Sequence, residues 1–504
     1  HDLEPLVRAI LANQRPDGRF GRTDLAFTAQ ETGTEHMALL WGNGRLLVGL
    51  LAYHEATGDR ASLAAARRLA AFLLAVRAAT KAPEVMKRVE GQGAFGFVCF
   101  TQLAEGLVRL GRASGESRYG EAAREIVPLL PPRGVQHSHG YLTTLRGALL
   151  LHEATGDAAM RAWVERLWND LVGSSDYVVD GSALEYFGWG DSSNGSAQRA
   201  IKEASGEFPR NEGCGLADVV RLTLHLHHLT GRADYLEQAE RCYVNAFAHN
   251  QFATGDFGSR VWFRDGLMPT PSVDRAWWCC TMHGYRAYRD VLDAIVSEDG
   301  DLVTVRLFDD IDFEGRAAAL SLRRTEAGFE AAVTRGFDGA LAVREPSWAE
   351  GFAIRVNGAP APAPAAGGFR RLRRTFRAGD RIDGSFTPRL RLVRPDGTGI
   401  PLSALGAEPV RAALYCGPFL MGMDESLDPL FFSEPWPGNV VTLSPGATPD
   451  CGAGRRLRVA ASYEHEGYRG GETATLRAMG EKPADDQRTF AVWLNYRRAT
   501  PRSS

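Results

Sequence analysis

The sequence predicts a mainly helical protein with a β-rich second half: an (α/α) toroid of helical hairpins followed by a β-sandwich. Three observations carry this. A hairpin junction recurs along the first three hundred residues. The apolar period then shifts from helical to two. Regular turn signals separate the short segments after that shift.

The junction His54-Glu55-Ala56-Thr57-Gly58-Asp59 returns as His152-Glu153-Ala154-Thr155-Gly156-Asp157. Ser114-Gly115-Glu116 and Thr230-Gly231-Arg232 are weaker copies. Each copy lies between apolar helical stretches, such as Ser62 to Val76 and Ala159 to Val172. Glycine ends one helix and Asp or Ser opens the next, as expected of a helical hairpin. Four irregularly spaced junctions favour a closed ring over an open solenoid. Such a ring carries its site on the loops at one mouth.

The pattern changes near residue 298, which divides the chain into an (α/α) barrel over 1–297 and one or more β-sandwich domains over 298–504. Leu302–Phe308, Ala319–Arg323, Phe329–Val333 and Phe352–Val356 alternate. Turns are expected at Glu298-Asp299-Gly300, Asn357-Gly358, Ala378-Gly379-Asp380 and Pro395-Asp396-Gly397. Ala359 to Ala366 reads as a loop, Val410–Tyr415 and Thr489–Leu494 as further strands, and 425–487 as poorly patterned.

At 504 residues the chain is too long for one ordinary core. Fifty-eight Lys and Arg against 61 Asp and Glu leave a net charge of −3, which argues against a nucleic-acid partner. Hydrophobic content of 44% is that of a globular protein, and no apolar run is long enough to span a membrane. Seven scattered cysteines do not read as a disulfide framework. With no signal-like segment after His1, they favour a cytoplasmic protein as the expectation, while a start at His1 rather than methionine also fits a trimmed product and leaves export open. A homo-oligomer is compatible with the sequence.

Two motifs carry chemistry: Asn211-Glu212-Gly213-Cys214, and Trp277-Trp278-Cys279-Cys280-Thr281-Met282-His283-Gly284. Adjacent cysteines rarely bond to each other, because the ring they would close is strained. Two neighbouring thiols with a Glu-x-Cys suit a soft metal, and three thiolates with one carboxylate make a four-coordinate zinc site. Buried free cysteines account for the same spacing equally well.

Beyond these motifs, the sequence resembles the β-L-arabinofuranosidase family, glycoside hydrolase family 127, over nearly its whole length. The resemblance rests on the toroid-plus-sandwich order, Glu212-x-Cys214, Cys279-Cys280 and Arg286. Glu240-Arg-Cys-Tyr-Val-Asn-Ala-Phe247, Arg344-Glu-Pro-Ser-Trp348, Val356-Asn-Gly358, Ala378-Gly-Asp380 and Cys416-Gly-Pro418 extend it.

The resemblance implies that Glu212, Cys214, Cys279 and Cys280 hold zinc and that Cys279 is the nucleophile of a retaining exo-glycosidase. Its substrate would be a carbohydrate with a terminal furanose or pentose. Zinc would keep a thiol ionised at neutral pH. The acid/base would be Glu203, in a Glu-Ala similar to the family's, or Glu207; each also reads as a solvated loop carboxylate. His137, with His139 and Tyr141 beside it, resembles a sugar-contacting segment. His225, His227 and His228 read as packing or surface groups. His283 reads as an acid/base or a donor beside the thiolates, and Trp278 as a sugar platform.

Two departures matter. Gly44-Arg45-Leu46 stands where the family has Gly-His-Leu, and Cys99-Phe100-Thr101 where a second Gly-His is usual. Retained thiols with an altered subsite imply a different sugar, or lost hydrolysis. Arg45 would suit an acidic one. Two other readings stay open: a zinc-dependent cyclase or lyase on a helical toroid, with Cys280 and His283 as ligands, and a non-catalytic carbohydrate-binding protein.

Overall fold

The computed structural model describes residues 3–188, 210–261, 276–325, 328–362, 364–432, 439–443, 455–465, 468–481 and 488–499. These form two compact units. One holds the chain up to Tyr177 and from Ala183 to 188; the other holds Val178–Ser182 and everything from 210 onward.

The first unit is helical. It runs α1 (Glu4–Ala12), α2 (Thr34–Thr57), α3 (Arg60–Ala79), α4 (Pro83–Glu90), α5 (Gly96–Thr101), α6 (Leu103–Ser114), α7 (Ser117–Ile126), α8 (Ser138–Thr155) and α9 (Ala158–Val172). Helix α2 packs on α3 and α6, α6 on α7 and α8, and α8 on α9. The repeated hexapeptide makes the α2–α3 and α8–α9 turns. Gly58, Gly115 and Gly156 end their helices in the left-handed region, at φ 73°, 74° and 73°, where a Cβ is strained. His54 and His152 each bond through Nδ1 to the carbonyl oxygen of Asp59 and Asp157, at 2.9 and 2.8 Å. Thr57 and Thr155 hydroxyls donate to Tyr53 and Leu151 carbonyls and accept the Asp59 and Asp157 N–H groups. Asp59 and Asp157 then cap the next helices through the Ser62 and Ala159 N–H groups. The repeat is thus a side-chain clasp on both helix ends.

Inside this unit Glu105 is fully buried. It pairs with Arg45 at 3.0 Å, Arg146 at 3.7 Å and Arg109 at 4.0 Å. A buried carboxylate is tolerable only with such partners.

The second unit contains helices Gly213–Thr230, Ala233–Cys242 and Trp278–Ile295, the first packed against both others. His227, Thr230 and Gly231 repeat the clasp, with His227 Nδ1 at 2.8 Å from the Arg232 carbonyl oxygen and Gly231 at φ 69°. His227 is therefore a turn residue, as a packing role anticipates. The Ala233–Cys242 helix continues into a single π-helical turn, Tyr243–Phe247.

Ile295 passes directly into the strand Val296–Asp299. Three sheets follow. A six-stranded antiparallel sheet is ordered Ala359–Pro360, Ala349–Val356, Arg381–Pro388, Gly328–Arg335, Ala319–Thr325, Ile311–Glu314. A five-stranded sheet is ordered Ala365–Ala366, Phe369–Phe376, Phe337–Arg344, Leu302–Val305, Val296–Asp299, with Leu302–Val305 parallel to Phe337–Arg344. A nine-stranded sheet surrounds a core including Leu414, Met421, Val441, Leu476 and Tyr496. The alternating burial along Gly328–Arg335 gives a sandwich sheet one buried face.

Two expectations need correction. The stretch 425–487 contains the strands Val440–Leu443, Arg456–His465 and Tyr468–Ala478. The hairpin Arg456–His465/Tyr468–Ala478 is held by a long unbroken register rather than by strong apolar alternation, since small Ala474 and Ala478 share its inward positions with Leu476. Cys416 is in a disulfide, so the thiols are not all free; Cys99, Cys214, Cys242, Cys279 and Cys280 are. In addition, the Ala359–Ala366 loop is bounded by two two-residue strands.

Among the contacts that tie helix to sheets within this unit, two are made by Glu240 and Asn245. Glu240 Oε2 accepts from Arg344 and from Trp348 Nε1, both at 2.8 Å. Asn245, on the π turn, donates to the Pro418 carbonyl at 2.9 Å and accepts the Leu420 N–H at 2.8 Å.

Candidate metal and thiol site

The short antiparallel pair Arg210–Glu212/Ser259–Val261 delivers Glu212. The chain then turns straight into the Gly213–Thr230 helix, whose first turn holds Cys214. The other two thiols stand in the first turn of Trp278–Ile295. Gly213 permits the approach: a Cβ there would lie 2.9 Å from Cys280 Cβ and 3.1 Å from the Gly258 carbonyl oxygen. Gly284 does the same one turn on, where a Cβ would lie 2.4 Å from the Phe257 ring. Phe257 is held in turn. Its carbonyl accepts the Trp277 N–H at 2.8 Å, and its N–H donates to Thr281 Oγ1 at 3.1 Å.

The ligand atoms of Glu212, Cys214, Cys279 and Cys280 lie within 4.8 Å of one another. Cys214 and Cys280 sulfurs are 3.7 Å apart, and Cys280 Sγ is 3.8 Å from Glu212 Oε1. Tetrahedral zinc with sulfur at ~2.3 Å and oxygen at ~2.1 Å sets edges of roughly 3.8 Å between sulfurs and roughly 3.6 Å from sulfur to oxygen. The donor set therefore fits zinc in both element and spacing.

Glu212, Cys214 and Cys280 are buried, while Cys279 is partly exposed. Hydrogen bonding from Cys214, then from Cys280, holds the Cys279 thiol well below its usual range, against burial. Burial pushes Cys214 up. Cys280 is also raised: its bond to Cys214 draws it down, but Cys279 and burial outweigh that. Its neighbours thus favour a thiolate at Cys279. Its exposure makes it the one that a second molecule can reach.

The other expected residues fall in two sets. In the second unit, a His283 ring nitrogen lies within 4.8 Å of Cys214 Sγ, and His283 is buried. Trp278 is 81% exposed. In the first unit, His137 and His139 are buried in an aromatic cluster. Trp41 lies 4.9 Å from His139 and 6.1 Å from His137, Phe95 5.3 Å from His137, and Tyr186 5.2 Å from His137. Tyr141 is also buried, edge-on to Phe187, and burial raises its hydroxyl. Arg45 is not in this cluster's contacts: its guanidinium is bonded to Gln102 at 2.8 Å and paired with Glu105. Glu203 and Glu207 lie outside the described residues.

Four contributors escaped the sequence reading. Gly213, Gly284 and Thr281 shape the thiol turn, and buried Glu185 places a carboxylate oxygen within 4.8 Å of a His137 nitrogen. Only Thr281, directly after the cysteine pair, left a local signal.

Comparison with family profiles sets the class. Residues 1–291 match the β-L-arabinofuranosidase, GH127 catalytic domain, and residues 324–387 match the GH127 middle domain. The protein is a glycoside hydrolase. More narrowly, the chain belongs to the β-L-arabinofuranosidase family GH127. A search of curated proteins finds no match. Among solved structures, a GH127 β-L-arabinofuranosidase from Geobacillus stearothermophilus T6 is 15% identical, with a TM-score of 0.68, covering 98% of this chain and 87% of that one. A second GH127 β-arabinofuranosidase is 16% identical, with a TM-score of 0.70, covering 98% and 84%. These likenesses establish the toroid-then-sandwich fold.

Proposed function

We propose that this hydrolase is a retaining, exo-acting glycosidase that removes a terminal pentofuranose, with Cys279 as its nucleophile. One observation carries the reading: three sulfurs and a carboxylate gathered within 4.8 Å in a chain of this family, with Cys279 the most exposed of the three thiols. Glu212, Cys214, Cys279 and Cys280 would hold zinc, which would keep Cys279 deprotonated and fix its Sγ. Cys279 Sγ attacks the anomeric carbon, the glycosidic C–O bond breaks, and the departing oxygen takes a proton from a carboxylic acid, Glu203 or Glu207. The resulting carboxylate then takes a proton from water. The hydroxide attacks the same carbon, and the C–S bond breaks to return the Cys279 thiolate. Thr281 and Gly213 hold the turn on which that sulfur stands. Trp278 offers an exposed ring face for sugar, and His283 a ring nitrogen beside Cys214.

In the first unit, His137, His139 and Tyr141 are proposed as sugar contacts, on the family resemblance and their aromatic surroundings. Arg45 and Phe100, standing in place of family histidines, favour a sugar other than plain β-L-arabinofuranose. Carboxylate recognition by Arg45 is set aside, because Glu105 already occupies its fork. The test is a panel of aryl pentofuranosides with the zinc-loaded enzyme and its Cys279→Ser variant. Turnover of one member, abolished in the variant with zinc and fold retained, is expected. Near-wild-type turnover in the variant would overturn the covalent mechanism.

A further inference from the structure

A cavity of about 390 Å³ lies within the second unit and shares no lining residue with the cysteine cluster. It forms where the π turn, the Ala319–Thr325/Gly328–Arg335 hairpin and the Phe419 turn of the nine-stranded sheet come together. Its size is that of a small-molecule site. Most of its polar lining is already engaged. Glu240 is held by Arg344 and Trp348. Asp309 accepts the Tyr243 hydroxyl at 2.9 Å, and Asp310 accepts the Arg324 backbone N–H at 2.8 Å.

Two lining arginines are different. Arg324 and Arg455 place their guanidinium carbons 4.8 and 4.5 Å from the centroid of one ring, Phe419. Among the described residues, neither guanidinium makes an ion pair. Both line the same cavity, and the charges of both, Arg455 the more strongly, act on the carboxyl of Glu481. Burial, and secondly the charge of Arg455, pulls Arg324 below its usual value, with Asp309 acting in the opposite direction. Arg455 also adopts φ 44°, a left-handed conformation that costs energy in a residue with a Cβ. Asn357 is the other such non-glycine residue described, and it sits in an ordinary Asn-Gly turn. A strained arginine backbone at a cavity wall is a mark of a functional position.

We propose that this cavity binds one carboxylated monosaccharide, separately from the hydrolytic site. Arg324 and Arg455 receive its carboxylate, Asp309 and Asp310 accept from its hydroxyls, and Phe386 and Trp348 form the apolar wall. Asp309 and Asp310 select a sugar acid over phosphate, because a dianion would meet two carboxylates while a monoanion with hydroxyls is complementary to both charges.

The test is calorimetric titration of the full-length protein with D-galacturonate, D-glucuronate, D-galactose and inorganic phosphate. Saturable binding of a uronate is expected, at least tenfold tighter than galactose or phosphate. Arg324→Gln and Arg455→Gly should each weaken it at least tenfold. The Arg455→Gly variant relieves the left-handed strain, and a melting curve matching the parent's separates its loss of binding from unfolding. Cys279→Ser should bind the uronate unchanged, which separates this site from the thiol chemistry. No uronate binding, equal binding of galactose, tighter binding of phosphate, or unchanged binding in Arg455→Gly would each overturn the proposal.

Discussion

Glu240 joins a helix to the sheets of the second unit through two hydrogen bonds, and Glu240→Ala measures their weight. In the folded protein the Arg344 side chain is fully buried and the Glu240 side chain is 7% exposed. Truncation removes two charge-assisted hydrogen bonds, from Arg344 and from Trp348 Nε1. It leaves a guanidinium whose next carboxylate, Glu237, stands 4.0 Å away, and whose contact with the Arg306 carbonyl is long at 3.4 Å. Hydrogen bonds to charged groups contribute about 1.5–3 kcal/mol each, and stranding one member of a buried pair costs about 3–5 kcal/mol in all. We expect a loss of about 4 kcal/mol, read from the urea transition followed by far-ultraviolet circular dichroism. Glu240→Gln should cost about 2 kcal/mol, since it keeps an acceptor without the charge. The double variant Glu240→Leu/Arg344→Met should recover most of the stability, because no buried charge is then left alone. A Glu240→Ala protein within 1 kcal/mol of the parent, or a double variant as weak as the single ones, would refute this account of the contact.

Three further outcomes follow from the geometry. Gly213→Ala should lower retention of the proposed zinc by tenfold or more in a chelator competition, because its Cβ would press on Cys280 at 2.9 Å; equal retention in variant and parent would contradict this. Removing the proposed zinc with a chelator should open Cys279 to alkylation before the buried Cys214 and Cys280, as mass mapping will show; simultaneous labelling of all three would refute the difference in exposure. Burial raises Cys99 to about 12 from an ordinary 9.0, so between those values only the unfolded chain ionises there. Stability should hold below pH 9 and fall as pH rises towards 12, and Cys99→Ala should lessen the slope of melting temperature against pH.

Much of this was legible in the sequence, for local reasons. The His-x-x-Thr-Gly junctions announce their turns because every bond in them spans five residues or fewer. The thiol cluster was legible because two adjacent cysteines have few structural uses. What remained hidden is set by long-range sterics and pairing. Gly213 reads as an ordinary helix-opening glycine until Cys280 is seen against it. Glu240 and Arg344 are 104 residues apart, and no local pattern links them. Arg45 read as a free cation because its partner Glu105, 60 residues on, lies on another helix of the same unit. The Tyr468–Ala478 strand was missed because its inward positions include alanines, which carry little hydropathic contrast.

The histidine clasp has a consequence for how such a chain can diverge. Each clasp closes its own hairpin turn through bonds among neighbours in sequence, so the loop inside a hairpin has one permitted length. A single inserted residue between His54 and Asp59 would part the imidazole from its carbonyl and the threonine from its two backbone partners together. Among the described residues, the links from one hairpin to the next carry no such clasp, and they differ in length: three residues join α3 to α4, but eight join the 3-10 turn ending at Leu129 to α8. Variation in loop length is thereby channelled to one set of connections, and a lineage can rebuild those without unfastening the helices beneath them.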